Sequence, residues 1–377
     1  MLNKIYIENI NSIGECVIDF KKNSYKFRQE NVIEDNINPV AIYGHNGSGK
    51  SSIVKSIGSL IALLIGPVDL LQPFTINNLN YEAYRKNKKK DFIEGKIVLY
   101  FDVDNNKYEY TMVTSLSRYI EEEMLKCNNK VIIERNKTSY IYLEHKNQIV
   151  DSFMVPTLRK LANIEINDKI IQEAYQFLSS MTLIDLTRIN STFGFVTSKL
   201  FETTSKFDLL VSKSNEVKEI LKDYKEFPIY DIVKTEQQIP NGLINPELQY
   251  QIELEGDNEK IRLPYSMISS GMQSQSLLLS ILLSIPNNAV LFIDDLDENL
   301  YSSTIKSFLH FVRKKKIQLL FAANNTNILQ DLRPDQIYLS KWVNGYSKCD
   351  RLSDVYPNIR EINNIEKMYL SGVFDEW

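Results

Sequence analysis

The 377-residue sequence has only three cysteines, Cys16, Cys127 and Cys349. They lie far apart and form no Cys-x-x-Cys pair. That excludes a disulfide framework and a cysteine-rich zinc site, and it favours a reducing compartment, the cytoplasm. Histidine is equally scarce: His45, His145 and His310 are too dispersed for a His-based metal centre. Long apolar runs are missing. The most membrane-like stretch, LIALLIGPVDLL from Leu60 to Leu71, is broken by Gly66, Pro67 and Asp69. It is shorter than the roughly 20 residues of a spanning helix and reads as a buried helix and its end, so no membrane contact is expected. The opening residues, MLNKIYIENI, lack the apolar core of a signal peptide. There is no basic surplus either. The net charge of −4 gives no general pull towards nucleic acid, and a DNA contact would need a local basic patch. Sustained heptads are absent, which argues against a long coiled-coil arm.

What is present is concentrated in a few short stretches. A single core rarely grows beyond about 250–300 residues, so this length predicts one large domain with an insertion, or two lobes. AIYGHNGSGKSS, Ala41 to Ser52, fits G-x-x-x-x-G-K-[ST] without a mismatch. Val40 to Tyr43 reads as a short buried strand, and Ser51 to Leu64 as a helix with an apolar face. Glycines let the backbone curl so that successive N–H groups converge on phosphate oxygens. The helix start adds its positive dipole end. The candidate phosphate-binding residues are Gly44, Asn46, Gly47, Ser48, Gly49, Lys50, Ser51 and Ser52. Lys50 is expected to reach the β- and γ-phosphates of ATP, and the Ser51 hydroxyl to take one Mg²⁺ position.

Ahead of this loop, KIYIENINSIGECVIDF alternates in a way that predicts two antiparallel strands. After it, GKIVLYFDVDNNKYEYTMV reads as a hairpin turning at Asp104-Asn105-Asn106. From about Ser117 to Lys234 the chain reads as mostly helical. Strands resume at ELQYQIELEGDNEKIRLPYS. AVLFIDD is a buried strand ending in Asp294 and Asp295, and strand C-termini are where ligands of open α/β sheets bind. Asp294 is the candidate Mg²⁺ ligand and Asp295 the candidate catalytic base. SSGMQ, Ser269 to Gln273, is a Ser-x-Gly turn before a helix, a second phosphate-binding geometry. The expected divisions are 1–116 and 235–377 for the two halves of the core, and 117–234 for the insertion. The basic runs Arg85–Lys90 and Val312–Lys316 are read as a solvated loop and a helix end.

The order of P-loop, Ser-x-Gly turn and acid strand resembles the SMC/OLD-like branch of ABC-type ATPases. It is most similar to the small bacterial ATPases typified by RloA, often catalogued among AAA-family proteins. The stretches carrying the resemblance are IYIENINSI, IYGHNGSGKSS, SSGMQSQSLL, VLFIDDLDENLY, LLFAANNTNIL and, towards the end, RPDQIYL, RLSDVYPNIR and IEKMYLSGVF. The resemblance implies an α/β P-loop NTPase fold, an ABC-type ATPase head with N-terminal antiparallel strands and a mostly helical insertion. It implies a homodimer or higher oligomer with ATP sandwiched between subunits, Ser269 and Gly271 of one facing the P-loop of the other. It also implies a regulatory role in phage defence beside a separately encoded effector, such as a nuclease. The alternatives are a nucleotide-locked scaffold and a DNA-repair ATPase of the RecF type. The sequence departs from the family pattern at four places. Asp295 stands where Glu is usual, Asn324 where a switch histidine is usual, Tyr301 within a Leu-His-Pro position, and Met272 in the signature. An Asp reaches about one methylene less far than Glu, and Asn cannot transfer a proton as His can, so slow hydrolysis is expected.

Overall fold

A computed structural model of the chain describes residues 1–66, 94–115, 119–143, 145–164, 168–188, 196–197, 206–221, 229–238, 244–253 and 260–375. The basic run at Arg85–Lys90 lies outside the described residues.

Two antiparallel strands, β1 (Leu2–Ile10) and β2 (Ile13–Asp19), open the chain as their alternation predicts. Two short strands, β3 (Val32–Ile33) and β4 (Asn36–Ile37), pair with each other. They precede β5 (Val40–Tyr43), which leads through the glycine-rich loop into α1 (Lys50–Ile65). The hairpin β6 (Gly95–Val103) and β7 (Asn106–Thr114) turns at Asp104-Asn105, with Asp104 left-handed.

The segment 117–234 departs from the sequence reading. Its described residues hold α2 (Thr157–Asn163), α3 (Lys169–Ser180), α4 (Lys206–Ser212) and α5 (Ser214–Leu221). They also hold four strands that extend the sheet beyond β7: β8 (Ile120–Cys127), β9 (Lys130–Arg135), β10 (Ser139–Tyr142) and β11 (His145–Ile149). The reason lies in β8. Its inward positions include Glu121 and Glu123 alongside Leu125 and Cys127, so acids occupy core sites and hide the strand period. Glu123 is satisfied there by the Tyr110 hydroxyl at 3.0 Å and by the Leu158 amide at 2.9 Å, and thereby caps the start of α2.

The chain then gives β12 (Thr182–Asp185), β13 (Val196–Thr197) and a separate three-stranded sheet of β14 (Ile229–Gln238), β15 (Ile244–Glu253) and β16 (Lys260–Pro264). It returns with α6 (Ser270–Ser284), β17 (Val290–Asp294), α7 (Ser302–Lys314) and β18 (Gln318–Ala322). It ends with β19 (Ile337–Val343), β20 (Tyr346–Arg351), α8 (Leu352–Val355) and α9 (Ile365–Leu370). The large sheet runs β11-β10-β9-β8-β7-β6-β1-β2-β20-β19-β5-β18-β17-β12-β13. Five adjacent strands, β19, β5, β18, β17 and β12, form its parallel core, with β18 between the P-loop strand and the acid strand, and β2 also pairs in parallel with β20.

Both faces of the parallel part are covered, which explains its continuous apolar runs. Val40, Ile42, Phe292 and Leu320 share one core with Ile53, Ile57, Leu60 and Leu64 of α1. Ala41, Tyr43, Leu291, Ile293 and Phe321 share another with α6 and α7. The apolar stretch near Leu60 is thus the buried end of α1. Among the described residues, no helix is long and apolar enough to cross a membrane.

The RPDQ stretch is a buried polar clamp. Arg333 donates to both oxygens of Asp335 at 2.9 and 2.8 Å, and both side chains are fully buried. Asp335 also accepts from the Asn23 amide at 2.8 Å. Gln336 accepts from Asn31 at 2.9 Å and donates to the Pro39 carbonyl at 2.6 Å, just before β5. The C-terminal half therefore fixes the entry to the P-loop strand. Breaking a buried pair leaves an uncompensated charge. Asp335→Ala is expected to destabilise the protein by about 3–5 kcal/mol, read as an earlier midpoint in urea unfolding. An unchanged midpoint would show that the clamp does not bear on stability.

Candidate functional site

The loop from Gly44 to Gly49 is shaped by close backbone approaches. A Cβ on Gly44 would lie 2.0 Å from the Ser340 carbonyl oxygen of β19. Gly49 has φ +102°, and a Cβ there would lie 2.1 Å from the Ser347 hydroxyl. Neither place admits a larger residue, so the two glycines let the loop lie against β19 and the start of β20. Ser340 donates to the Ser48 carbonyl at 2.8 Å. Ser347 donates to Ser12 at 2.7 Å, and Ser12 to Ser52 at 3.1 Å. His45, Asn46 and Gly47 form the exposed tip, whereas Ser48 and Lys50 are buried. The Lys50 ammonium donates to the carbonyls of Gly44 at 2.7 Å and His45 at 3.2 Å. Burial pulls its pKa down, against the opposing pull of Asp295, Asp297 and Asp294. The cation at the start of α1 and three acids thus act on one another.

Asp294 ends β17 and is fully buried. Its Oδ2 lies 3.0 Å from the Lys55 ammonium, which is also 3.3 Å from Asp185 at the end of β12. Neither oxygen of Asp294 has a well-formed hydrogen bond. Burial raises its pKa, Lys55 and the nearby Ser51 hydroxyl oppose this, and Asp185 adds to it. Asp295 adopts a left-handed backbone, φ 51°. Its pKa is pushed up to about 6 by burial first, then by Asp294 and Asp297, against Lys55 and Lys50. Asn324 donates to Asp295 at 3.4 Å. Two of the four departures from the family pattern therefore touch. Asp297 locks the loop after β18, accepting from the Asn324 amide at 3.0 Å and the Asn325 amide at 2.6 Å.

Ser269 and Gly271 sit elsewhere. Ser269 caps α6 by accepting from the Met272 amide at 3.3 Å. A Cβ on Gly271 would lie 2.8 Å from the Asn299 carbonyl oxygen. Both line a cavity of about 500 Å³ with Met272, Gln275, Asn299 and Tyr301, and no P-loop residue lines it. Met267 and Tyr301 at this turn are 70% and 73% exposed. A larger cavity of about 1070 Å³ is lined by Met1, Lys4, Asp102, Asn288 and Gln318. It lies at the opposite edge of the sheet, where β17 and β18 begin.

Sequence reasoning missed five residues of this region. Asp185 ends TLID, an apolar run tipped with an acid like VLFID, and that likeness was the available signal. Lys55 shows no motif. Asp297 follows the acid pair but gives no sign of its loop contacts. The Tyr369 ring packs edge-on against Tyr43, the chain neighbour of Gly44, with centroids 6.1 Å apart. Asp375 lies 3.3 Å from the His45 ring. In the run Val312–Lys316, Arg313 donates to Asn31 at 2.6 Å and Lys315 to the Leu282 carbonyl at 2.7 Å, so the cations serve helix ends and loops.

The chemistry suits a polyphosphate with a divalent cation. The loop supplies a curled backbone at a helix N-terminus and a buried ammonium. The strand end supplies a buried carboxylate without well-formed hydrogen bonds beside a serine hydroxyl. Asp295 should titrate near pH 6, against its usual 3.8. Asp294→Asn should lower that midpoint, because it removes a neighbouring negative charge. Carboxyl ¹³C NMR checks both, and an Asp295 midpoint near 4 in the wild type would contradict the arrangement.

Comparison with known proteins agrees with this geometry. Residues 40–323, from the first residue of β5 to just past β18, match the family described as "AAA domain, putative AbiEii toxin, Type IV TA system". No curated protein matches the sequence significantly. Among solved structures, the chain is similar to an Smc head bound to the C-terminal winged-helix domain of ScpA. That likeness has 13% identity and a TM-score of 0.51, covering 94% of this chain and 99% of that one. An Smc head with an extended coiled coil, bound to the C-terminal domain of ScpA from Pyrococcus furiosus, gives 12% and 0.50 over 100% and 99%. At these identities the likeness is one of fold, the mixed α/β ATPase head with a large sheet. The family match spans well over half of the chain, which therefore belongs to the AbiEii-type AAA domain family.

Proposed function

We propose that this chain is an ABC-type ATPase that closes as a dimer around ATP and Mg²⁺, turns over slowly, and regulates a separately encoded effector in the cytoplasm. The observation that carries the reading is a division of the site. P-loop, Asp294 and Asp295 meet at one edge of the sheet, while Ser269 and Gly271 line a cavity that no P-loop residue shares. A second copy would supply the missing half. Gly44 to Ser52 would cradle the triphosphate, with Lys50 against its outer phosphates. Ser51 and Asp294 would hold Mg²⁺, which neutralises phosphate charge when bound. Asp295 would orient the attacking water and accept its proton. The family description, with its toxin and toxin–antitoxin system, is what supports a role in defence.

A nucleotide-locked scaffold is the second reading, and the Asn324–Asp295 hydrogen bond favours it. A carboxylate that accepts from an amide is a weaker base, and the amide cannot relay a proton. A RecF-type role in DNA repair has no observation of its own among the described residues.

Lys50→Ala should cost about 1.5–3 kcal/mol of ATP affinity, roughly tenfold or more by calorimetry. ATP with Mg²⁺ should raise the mass of the wild type in light scattering. Gly271→Asp would confuse the test, because any Cβ there meets Asn299. Ser269→Asp is cleaner: aspartate still caps α6 but places a negative charge where a phosphate is expected. It should abolish the ATP-dependent mass change, and an undiminished change would refute the sandwich.

Steady-state turnover should fall far below the roughly 10 s⁻¹ of a typical enzyme. Asp295→Glu with Asn324→His should raise it about tenfold or more. The wild-type rate should rise as pH climbs through about 6, because only the ionised Asp295 accepts a proton. A fast wild type, or a rate that falls across that range, contradicts this assignment.

A further inference from the structure

We propose that Lys55 and Asp185 form a built-in counter-ion pair that sets how strongly Asp294 takes a divalent cation. The inference rests on the nucleotide-site reading above and concerns residues to which that reading gives no role.

The placement begins with α1. A Cβ on Gly58 would lie 2.6 Å from a Leu183 methyl, so the glycine lets the helix approach β12 closely. Lys55 lies three residues earlier, on the same helical face, and comes to rest over the ends of β12 and β17. Asp185 and Asp294 are register partners on these parallel strands, and both are fully buried. Neighbouring strands lie about 4.8 Å apart, so the two carboxylates would repel each other strongly. The Lys55 ammonium bridges them at 3.3 and 3.0 Å.

The two acids are not equivalent. Asp185 is anchored through its other oxygen, which accepts from the Thr187 amide at 3.2 Å and the Thr187 hydroxyl at 2.6 Å. Asp294 has no comparable backbone anchor: its partners are the Lys55 ammonium and the Ser51 hydroxyl, which is itself the other candidate metal ligand. A divalent cation arriving at Asp294 meets an ammonium 3.0 Å away. It must displace that charge, and Asp185 is the fixed partner on which Lys55 can remain. Lys55 therefore competes with the metal, and Asp185 weakens that competition by offering Lys55 a second carboxylate on which to stay when Asp294 turns to the metal.

The measurement is the coupling between metal and nucleotide: the ratio of the dissociation constants of a fluorescent ATP analogue in EDTA and in saturating Mg²⁺. Lys55→Met keeps the bulk and removes the charge, and should raise this ratio about tenfold or more. Asp185→Asn leaves Lys55 with Asp294 alone, and should lower it. In the Lys55→Met background, Asp185→Asn should no longer lower it, because the lysine through which it acts is gone. If Lys55→Met alone does not fold, the double variant removes one of the two acids as well and should still exceed the wild-type ratio. A ratio at or below wild type in the folded Lys55 variant, or a rise in Asp185→Asn, overturns the proposal. A wild type that binds the analogue in neither condition would instead overturn the nucleotide-site reading.

Discussion

The parallel register of β5, β18, β17 and β12 is the constraint on which the site depends. Ala41 pairs with Phe321, Phe321 with Ile293, and Asp294 with Asp185. These pairings bring Gly44, Asn324, Asp295 and Asp185 to the same edge of the sheet, within two residues of one another in register. A one-residue slip would exchange the two faces of a strand. In β17 it would turn Phe292 and Ile293 to the wrong cores and carry Asp294 away from Lys55. Both faces of these strands are packed, so the alternation of two hydrophobic cores fixes the register, and the register places the chemistry. The buried clamp of Arg333, Asp335 and Gln336 adds a polar restraint just before β5.

Much of this was legible because it rests on local signals. The G-x-x-x-x-G-K-[ST] loop needs glycine where the backbone meets β19 and the start of β20, and the sequence supplies it. VLFIDD announces a buried strand and its acids. The β6–β7 hairpin announces its turn with Asp104-Asn105. Other features depend on pairs distant in the chain. Lys55 means nothing until α1 lies over β12, and Asp185 becomes informative only beside Asp294. The resemblance picked out RPDQ, but its physical role appears only when Asn23, Asn31 and Pro39 arrive from the other end of the sequence. β8 was hidden for a different reason: its core-facing glutamates break the apolar alternation by which strands are read.

The two departures that suggested slow turnover gain a physical meaning from their contact. Asp295 is held by burial and neighbouring acids at a pKa of about 6, which would suit a base near neutrality. Asn324 spends a donor on the same carboxylate. A histidine could occupy such a position and also exchange a proton, whereas the amide can only donate. Asn324 is in turn fixed through its backbone by Asp297. The acid loop and the loop after β18 therefore hold each other, and neither can be repositioned alone.

The same contacts continue into the P-loop and the end of the chain. The Tyr43 hydroxyl donates to the Asn325 carbonyl at 3.0 Å, which ties the last residue of β5 to the loop that Asp297 holds. Thr326 in that loop donates to Glu366 of α9 at 3.4 Å, and Tyr369 of α9 packs on Tyr43 beside Gly44. A change at the phosphate-binding loop thus meets three elements at once: the acid loop, the loop after β18 and the C-terminal helix. The C-terminal helix reaches the surface, and Leu370 at its end is 66% exposed. The strand ends that carry Asp294 and Asp295 are thus joined by direct contacts, through Asp297, Asn325 and Thr326, to a helix at the surface.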